Sequence, residues 1–377
     1  MKVIIIPDSF KGSLTASQAA KAMAEGLCEY DPSITTVLLS GADGGEGTMK
    51  SLVEATDGHT KSVLVLDPLG RKREAEYGVL GDGETCVIEL AEASGLLLLS
   101  ETERNPLMTT SFGTGELILD ALDAGFRKFI IGLGGSATND GGMGMLRALG
   151  MKFRNKEGFE IPGGGGALSE LMEIDSTEFD KRILTSEFII ACDVENPFVG
   201  PDGASAVFGP QKGATPEMVE TLDGNLRKFA NLVKDCTGIS LHNKKGAGAA
   251  GGAGGAFQAF FQGQMKQGIE VVLDAISFEK HIQNADLILT GEGKTDIQTL
   301  SGKTPFGIAK VAKEKEIPVI LISGTLEKSC KKDLSHIFTE LHSITDEQIS
   351  SEESMNDAYR LLRMKTWYVM EEYFKGK

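Results

Sequence analysis

Short apolar runs alternate with amphipathic stretches at the start of the chain. The run KVIII at residues 2–6 is typical of a buried parallel strand, and ASQAAKAMAEGL at 16–27 places its small and apolar side chains roughly on one helical face. Ser13 or Thr15 is suited to cap this helix. A second strand and a second helix follow within residues 35–56. This order of elements predicts a parallel α/β sheet.

The pattern changes in the middle of the chain. Residues 61–90 hold three β-type runs separated by the turn sequences PLGR and GDG, which predicts antiparallel or mixed pairing. The strand–helix order of the beginning returns near the C-terminal third. We therefore predict two domains, an outer α/β domain at 1–60 and 285–377 and an inserted α/β domain with a mixed sheet at 61–284.

The composition narrows the possible partners. The chain has 377 residues, of which 41% are hydrophobic, enough for a sizeable core. Its net charge is −16, and an acidic surface repels phosphates and anionic lipids, so we expect neither nucleic acid nor membrane as a partner. Five scattered cysteines, no signal-peptide pattern and no apolar run of about 20 residues indicate a cytoplasmic protein.

Six glycines fall within residues 132–144, called the glycine segment below, directly after the apolar run KFIIG. A glycine-rich turn lets several backbone N–H groups converge, and a helix that starts near Asp140 would add the positive end of its dipole. Ser136, Thr138 and Asn139 offer neutral donors. We expect a phosphate or carboxylate site here, with Asp140 as a helix cap or metal ligand. The alternative is a tight turn without a ligand, although such a turn needs only one or two glycines.

The glycine segment does not match the standard nucleotide motifs. The pattern G-x-G-x-x-G fails at Ala137, and both GKT sequences lack the first glycine of a P-loop because Ile288 and Ile297 stand there. The chain also lacks the G-x-S-x-G elbow of serine hydrolases and the H-E-x-x-H motif of zinc proteases.

Carboxylates follow three predicted strands, at the end where ligands of open α/β sheets collect. Such groups are suited to bind Mg²⁺ or to accept a proton from a substrate hydroxyl. Each one alone is more simply explained as a cap or a solvated side chain, but three such placements in one chain favour a site. The residues are Asp43 and Glu46, Asp193 and Glu195, and Glu292 and Asp296.

Cationic side chains in turns complete the pattern. Lys11 and Ser13 lie at the first strand-to-helix turn, while Arg71 and Lys212 lie in later turns, where a solvated side chain is the ordinary explanation. Glycine-rich anion sites, strand-end carboxylates and loop cations are components of phosphoryl transfer, which relies on positioning and charge stabilisation. The residues alone therefore predict a small-molecule phosphotransferase or another anion-handling enzyme.

Long motifs run through nearly the whole chain. They are PDSFKGSL, ADGGEGT, NPLMTTSFGTGELI, GLGGSATNDGG, CDVENPFVGPDGAS, FGPQKGATPE and TGEGKTDIQTLSGKTP. In this order they resemble the bacterial glycerate kinase family, type 1. The resemblance implies ATP-dependent phosphorylation of D-glycerate with Mg²⁺, and bacterial members commonly yield 2-phosphoglycerate. It also implies two α/β domains with the active site in the cleft between them, one domain (the outer one here) being Rossmann-like.

Within this resemblance we assign site roles on chemical grounds. The candidate catalytic residues are Asp43, Asp193 and Lys11, with one of the two aspartates as general base on the glycerate hydroxyl. The candidate ligands of Mg²⁺, directly or through water, are Glu46 and Glu292. Lys11 and Arg71 would offset negative charge. The candidate substrate- or phosphate-binding residues are Ser13, Arg71, Gly134, Gly135, Ser136, Thr138 and Asn139.

Other interpretations stay open. GLGGSA is similar to the phosphate segment of mevalonate kinase-like and galactokinase-like proteins, although their fold would not begin with a buried parallel strand. The chain could instead be a non-catalytic regulator that binds a metabolite, or a kinase for another small hydroxy acid. The sequence does not decide which glycerate hydroxyl is phosphorylated, nor the oligomeric state, for which a homodimer is the candidate.

Overall fold

A computed structural model describes residues 1–42, 44–45, 47–345 and 351–375, without the side chains of residues 298, 301 and 351. The strands are β1 (Lys2–Ile5), β2 (Thr35–Leu38), β3 (His59–Leu66), β4 (Lys72–Val79), β5 (Thr85–Glu89), β6 (Lys128–Gly132), β7 (Lys152–Arg154), β8 (Glu173–Asp175), β9 (Glu187–Ala191), β10 (Gln264–Lys266), β11 (Leu287–Thr290), β12 (Lys294–Thr295), β13 (Val319–Ser323), β14 (Thr325–Leu326) and β15 (Glu340–Ser343). The α-helices are α1 (Ala16–Tyr30), α2 (Thr48–Ala55), α3 (Leu90–Ser94), α4 (Phe112–Asp123), α5 (Met143–Ala148), α6 (Ala204–Phe208), α7 (Pro216–Thr237), α8 (Ala253–Phe260), α9 (Gly268–Ala275), α10 (Phe278–His281), α11 (Thr304–Glu314), α12 (Lys331–Leu334), α13 (Ser351–Asn356) and α14 (Ala358–Lys375). Short 3₁₀-helices cover Leu96–Leu98, Glu101–Glu103, Gly165–Glu170, Lys181–Thr185, Pro210–Lys212, Ala249–Gly252, Ile297–Ser301 and Lys328–Cys330. Over the described residues, no helix is long and apolar enough to cross a membrane.

Residues 1–43 and 269–377 form one compact unit, the outer unit. Its main sheet is parallel, with the strand order β15-β13-β11-β1-β2. Strands β11 and β13 are buried along their whole length, as their continuous apolar sequences predict for the centre of a parallel sheet. Because the strands are parallel, the loops that follow β1, β11 and β13 emerge at one edge of the sheet.

Helices α1 and α14 pack together against this sheet. Thr15 Oγ1 accepts the amide of Gln18 at 3.1 Å and Gln18 Oε1 accepts the amide of Thr15 at 2.9 Å, so Thr15 is the cap of α1. Gly26 allows the two helices to approach closely, since a Cβ there would meet the backbone of Arg363.

Residues 44–268 form the second compact unit, the inserted unit. Its six-stranded sheet has the order β10-β9-β6-β5-β4-β3. Strands β3, β4 and β5 pair antiparallel, at the two tight turns predicted within residues 61–90, whereas β5, β6, β9 and β10 pair parallel. An apolar core that includes the stacked rings of Phe129 and Phe188, with centroids 4.6 Å apart, fills this unit.

One parallel and one mixed sheet in an α/β chain confirm the predicted fold class. The compact units change over after residues 43 and 268, whereas the sequence pattern placed the boundaries after 60 and 284. Helix α2 packs on β4 and β5 and so belongs to the inserted unit, while α10 belongs to the outer unit. The cleft position of the active site stays a prediction.

Two glycine-rich stretches of the inserted unit pack against the glycine segment. In residues 246–257, Gly251 has φ +65°, and a Cβ there would meet the carbonyl of Thr138. The Gly251 carbonyl also accepts the amide of Gly141 at 3.0 Å. In residues 162–166 a Cβ on Gly165 would meet the Asn139 carbonyl. Many glycines in this region therefore allow backbones to approach each other, which is a structural reason for them that is separate from ligand binding.

Candidate functional site

A cavity of about 370 Å³ opens in the outer unit, next to the loops that follow β1, β11 and β13. Loops at this edge of a parallel sheet bring together residues that are far apart in the sequence. The cavity wall carries the lysines Lys11, Lys294 and Lys303 and the carboxylates Asp8, Glu292 and Asp296. Ser13 lines the same cavity. The wall thus holds charges of both signs within a protein whose net charge is −16.

Glu292 follows β11 and is buried, with 5% of its surface exposed. Its Oε1 accepts hydrogen bonds from the hydroxyls of Thr295 and Thr299, at 2.8 and 2.7 Å. The Nζ of Lys303 lies 3.6 Å from Oε2. Burial raises the pKa of the Glu292 carboxyl, while the two hydroxyls and the ammonium act in the opposite direction. The carboxylate is therefore fixed through one oxygen, and its other oxygen has a cation as neighbour.

Residues at the start of α11 contact the carboxylates of Asp8, which lies after β1, and of Asp296, which follows β12. Lys303, the residue before α11, places its Nζ 3.2 Å from Asp296 Oδ1 as well as near Glu292. Thr304, the first residue of α11, donates its hydroxyl to Asp8 Oδ2 at 2.6 Å. Ammonium and carboxylate groups thus face one cavity in fixed positions, an arrangement that suits an anionic ligand or a complex of a cation with a phosphate.

The turn between β1 and α1 presents the predicted residue Lys11, which is exposed and lines the cavity. The Ser13 hydroxyl donates to the Phe10 carbonyl at 2.9 Å and stabilises this turn. Among the residues that the structure covers, Lys11 is the cavity lysine with no carboxylate at salt-bridge distance, so its charge is available to a ligand.

The glycine segment follows β6 in the inserted unit and divides into two parts. Residues 134–135 are exposed, whereas residues 136–144 are buried. Asp140 accepts the amides of Gly142 and Gly144, both at 3.1 Å. The Met143 amide donates to the Asp140 backbone carbonyl and the Met145 amide to Ser111 Oγ, both at 3.0 Å, so the amides at the start of α5, which the sequence assigned to an anion, have partners within the protein. The part of the segment that is open to solvent is residues 134–135.

Lys212 lies behind the glycine segment with 1% of its surface exposed. Its Nζ donates to Ser136 Oγ at 2.8 Å and to the Thr138 carbonyl at 2.7 Å. Asn139 Nδ2 donates to Ser205 Oγ at 2.9 Å. Since Thr138 and Asn139 are fully buried, their side chains support the segment, whereas Ser136 adjoins the exposed residues.

Two other predicted site residues lie elsewhere in the inserted unit. Arg71, in the turn between β3 and β4, pairs with Asp67 at 2.5 Å and with Glu103 at 2.6 Å. It would have to leave both carboxylates to bind an anion. Asp193 follows β9, and its Oδ1 accepts the amide of Gly268 at 2.9 Å, which orients the carboxylate at a strand end.

Asp43 and Glu46 lie outside the described residues, so the base and the magnesium ligand expected there stay predictions. Within the described ranges, no three acidic, histidine or cysteine side chains are grouped so that they could hold a metal ion. Mg²⁺ is commonly bound by one or two carboxylates together with substrate phosphates, so the buried Glu292 carboxylate is a suitable protein ligand for it.

The sequence does not assign a site role to several residues of these sites. Asp8 lies three residues after the end of β1, and the strand-end rule that pointed to Glu292 could have found it. Lys303 precedes a helix and carries no local signal of its role. The sequence places Lys212 in a turn, but its burial depends on the packing of distant segments, which no local pattern predicts.

Comparison with known proteins identifies the family. The sequence model of the glycerate kinase family matches residues 3–373. A glycerate kinase of Bacillus subtilis (strain 168) is 48% identical over 358 residues, which cover 95% of this chain and 94% of that protein. The glycerate 2-kinase of Escherichia coli (strain K12) is 48% identical over 326 residues, or 86% of each chain. A solved structure of a candidate glycerate kinase 2 from Salmonella typhimurium LT2 has 45% identity and a TM-score of 0.91, over 100% of this chain and 99% of its own. The chain is therefore a kinase that belongs to the glycerate kinase family.

Proposed function

We propose that this kinase transfers the terminal phosphoryl group of ATP to D-glycerate, with Mg²⁺, and that the product is 2-phosphoglycerate. The observation that carries the proposal is the cavity of about 370 Å³ whose wall combines three lysines with three carboxylates. Glycerate and phosphoryl groups are anions that lysines bind, and carboxylates suit both Mg²⁺ and the transfer of a hydroxyl proton. The Escherichia coli relative named glycerate 2-kinase supports the C2 hydroxyl as acceptor.

Lys11 is the proposed cation for the transferred phosphoryl group or the substrate carboxylate, since its ammonium is available in the cavity. Lys303 is held by Asp296 and Glu292, and Lys294 by Glu327 at 2.7 Å. These two lysines therefore balance the charge of the carboxylates, while Lys11 is left to offset the charge of the ligand.

Glu292 is the proposed ligand of Mg²⁺, with Glu46 as the second candidate. Because Thr295 and Thr299 engage Oε1, Oε2 is the oxygen left for the cation or for one of its water molecules. When bound, Mg²⁺ supplies positive charge to the phosphoryl oxygens. Burial raises the pKa of the Glu292 carboxyl. We therefore expect Mg²⁺ binding by Glu292 to weaken as the pH falls, because protonation removes the charged ligand.

The proposed general base is Asp193 or Asp43. At Asp193 the hydrogen bond from the Gly268 amide fixes one carboxylate oxygen. The carboxylate would accept the proton of the C2 hydroxyl while the hydroxyl oxygen bonds to the terminal phosphorus of ATP and the bond from that phosphorus to ADP breaks. The exposed residues 134–135, with Ser136 beside them, are the proposed contact for an anionic group of either substrate.

The test is ADP formation from Mg-ATP with D-glycerate, followed by coupled enzymes, with NMR of the product. We expect ADP release that depends on D-glycerate, and phosphorus coupling at the C2 proton of the product. Phosphorylation at C3 would overturn the product assignment, and turnover only with another hydroxy acid would replace the substrate. Binding of D-glycerate without any ADP release would refute the proposed reaction.

The test variant is Lys11→Met and its matched control is Lys21→Met, since Lys21 is also an exposed lysine but lies on α1. Loss of a charge-assisted contact of about 1.5–3 kcal/mol predicts that Lys11→Met lowers kcat/KM by roughly 10- to 100-fold. Lys21→Met should leave kcat/KM unchanged.

A further inference from the structure

Lys212 is a buried cation that the proposed reaction does not use. Among the residues that the structure describes, its ammonium donates to two neutral partners, the Ser136 hydroxyl at 2.8 Å and the Thr138 carbonyl at 2.7 Å. An isolated ammonium in such a place is costly, and lysine is almost never fully buried unless it is paired. A lysine kept there needs an explanation beyond packing.

The Ser136 hydroxyl has an unused donor. When Lys212 Nζ donates to Ser136 Oγ, it occupies a lone pair of that oxygen, so the hydroxyl hydrogen is directed to another acceptor. In the described part of the chain Ser136 Oγ donates to no other residue, and Ser136 directly adjoins the exposed residues 134–135. Thr138 Oγ1 and Asn139 Oδ1, in the next polar side chains of the segment, are also buried, and neither has a hydrogen-bond partner within the described ranges.

We propose that Lys212 is a positioning residue that orients and polarises the Ser136 hydroxyl, so that this hydroxyl donates to an anion bound over residues 134–135. The charge of Lys212 reaches the anion through Ser136 without being exposed to solvent. This inference rests on the proposed function only in taking residues 134–135 as an anion-binding surface. The anion is either a phosphoryl group or the carboxylate of the hydroxy acid, and the experiment separates the two.

The electrostatic surroundings make this role dependent on pH. Burial lowers the pKa of Lys212 to about 7, and Asp140 counteracts this only in part. Asp140 already accepts bonds from the amide and hydroxyl of Ser111 and from the amides of Gly142 and Gly144, so its charge is shared among several donors. An anion over residues 134–135 favours the charged ammonium, so its affinity should fall as the pH rises from about 6 to about 9.

The test is a double-mutant cycle with Lys212→Met and Ser136→Ala, in which binding is measured by thermal-shift titration. The probes are sulfate, which stays fully ionised over this pH range and stands for a phosphoryl group, and D-glycerate, which stands for the carboxylate. Circular dichroism checks that each variant is folded. If Lys212 acts through Ser136, each single variant weakens one of the two probes about 10-fold or more, and the double variant is no weaker than the single ones. Unchanged binding of both probes in Lys212→Met, or losses that multiply in the double variant, would overturn the proposal.

A second measurement keeps the test valid if Lys212→Met does not fold. In the wild-type protein the affinity for the sensitive probe should fall between about pH 6 and 9, and in Ser136→Ala this dependence should be lost. A flat profile in the wild-type protein contradicts the inference. If the double-mutant cycle shows that Lys212 acts through Ser136 but no ADP forms with D-glycerate, the proposed function fails and the role of Lys212 stands. If ADP forms but the effects of Lys212→Met and Ser136→Ala are independent, only the role of Lys212 fails.

Discussion

Replacing Lys212 by methionine should make the inserted unit more stable at neutral and acidic pH. Lys212 is 1% exposed, and burial lowers its pKa from 10.5 to about 7. Each tenfold change in proton affinity is worth about 1.4 kcal/mol, so keeping the ammonium in this place costs about 5 kcal/mol at pH values below 7. Methionine has a similar length and no charge, so it removes this cost.

The sign of the effect changes with pH. The pKa of Lys212 is lower in the folded protein than in the unfolded chain, so the unfolded chain binds more protons between about pH 7 and 10.5. The free energy of unfolding of the wild-type protein therefore rises with pH through this window. Methionine also leaves the Thr138 carbonyl without its donor, at a cost of about 1–3 kcal/mol. The variant should be more stable by roughly 2–4 kcal/mol below pH 7, and the two proteins should be equal near about pH 9.

The assay is urea-induced unfolding at about pH 6, 8 and 10, with wild-type protein and variant compared at each pH. The thiol of Cys86, which is fully buried in β5, reports the inserted unit through its accessibility to a reagent, read by peptide mass spectrometry. Lys156→Met, a change at an exposed lysine of the same unit, is the control and should shift no midpoint. A midpoint difference that does not vary with pH, or a wild-type protein that is the more stable at pH 6, would show that the buried ammonium of Lys212 does not carry this cost.

Three further predictions concern the site and its support. Glu292→Gln should raise the Mg²⁺ concentration for half-maximal rate about tenfold or more, measured by Mg²⁺ titration of ADP release, with Glu314→Gln, an exposed change on α11, as the unaffected control. If Asp193 is the base, Asp193→Asn should lower kcat by about 10² or more with little change in KM, while the exposed Asp202→Asn keeps normal kinetics; normal kinetics in Asp193→Asn would assign the base elsewhere. Gly251→Ala should destabilise the inserted unit by about 2 kcal/mol or more in urea unfolding, because φ is +65° and the new Cβ meets the Thr138 carbonyl; an unchanged midpoint would contradict this packing.

The fold class could be predicted because local patterns and tertiary pairing agree in this chain. The apolar runs of β1, β11 and β13 belong to the centre of a parallel sheet, and the turns within residues 61–90 join strands that pair antiparallel. The boundaries of the units could not be predicted as well. Helix α2 has the pattern of an amphipathic helix after a parallel strand, and only its packing on β4 and β5 assigns it to the inserted unit.

A residue of the candidate site could be predicted only where its position after a recognisable strand was enough to indicate its role. Glu292 follows a recognisable strand, and the sequence selects it. Its partners depend on the third dimension: Thr299 and Lys303 reach the carboxylate because a 3₁₀ turn and the start of α11 fold back over β11. For Asp140 the sequence allowed two roles, a helix cap or a metal ligand. In the structure its carboxylate accepts four hydrogen bonds from backbone and side-chain donors, so it is a structural cap.

The glycine segment has features explained by close packing and one feature that packing does not explain. Its buried part needs glycine so that three backbone segments can pack closely, and this alone would explain the composition without any ligand. What packing does not explain is Lys212, because an apolar side chain would fill the same space at a lower cost in free energy. If Lys212→Met gains stability and loses anion affinity, the lysine is retained for binding at the expense of stability, a trade that functional sites commonly make. If it gains stability and loses nothing, the segment is a packing device, and the anion site must be sought around Lys11 in the outer unit.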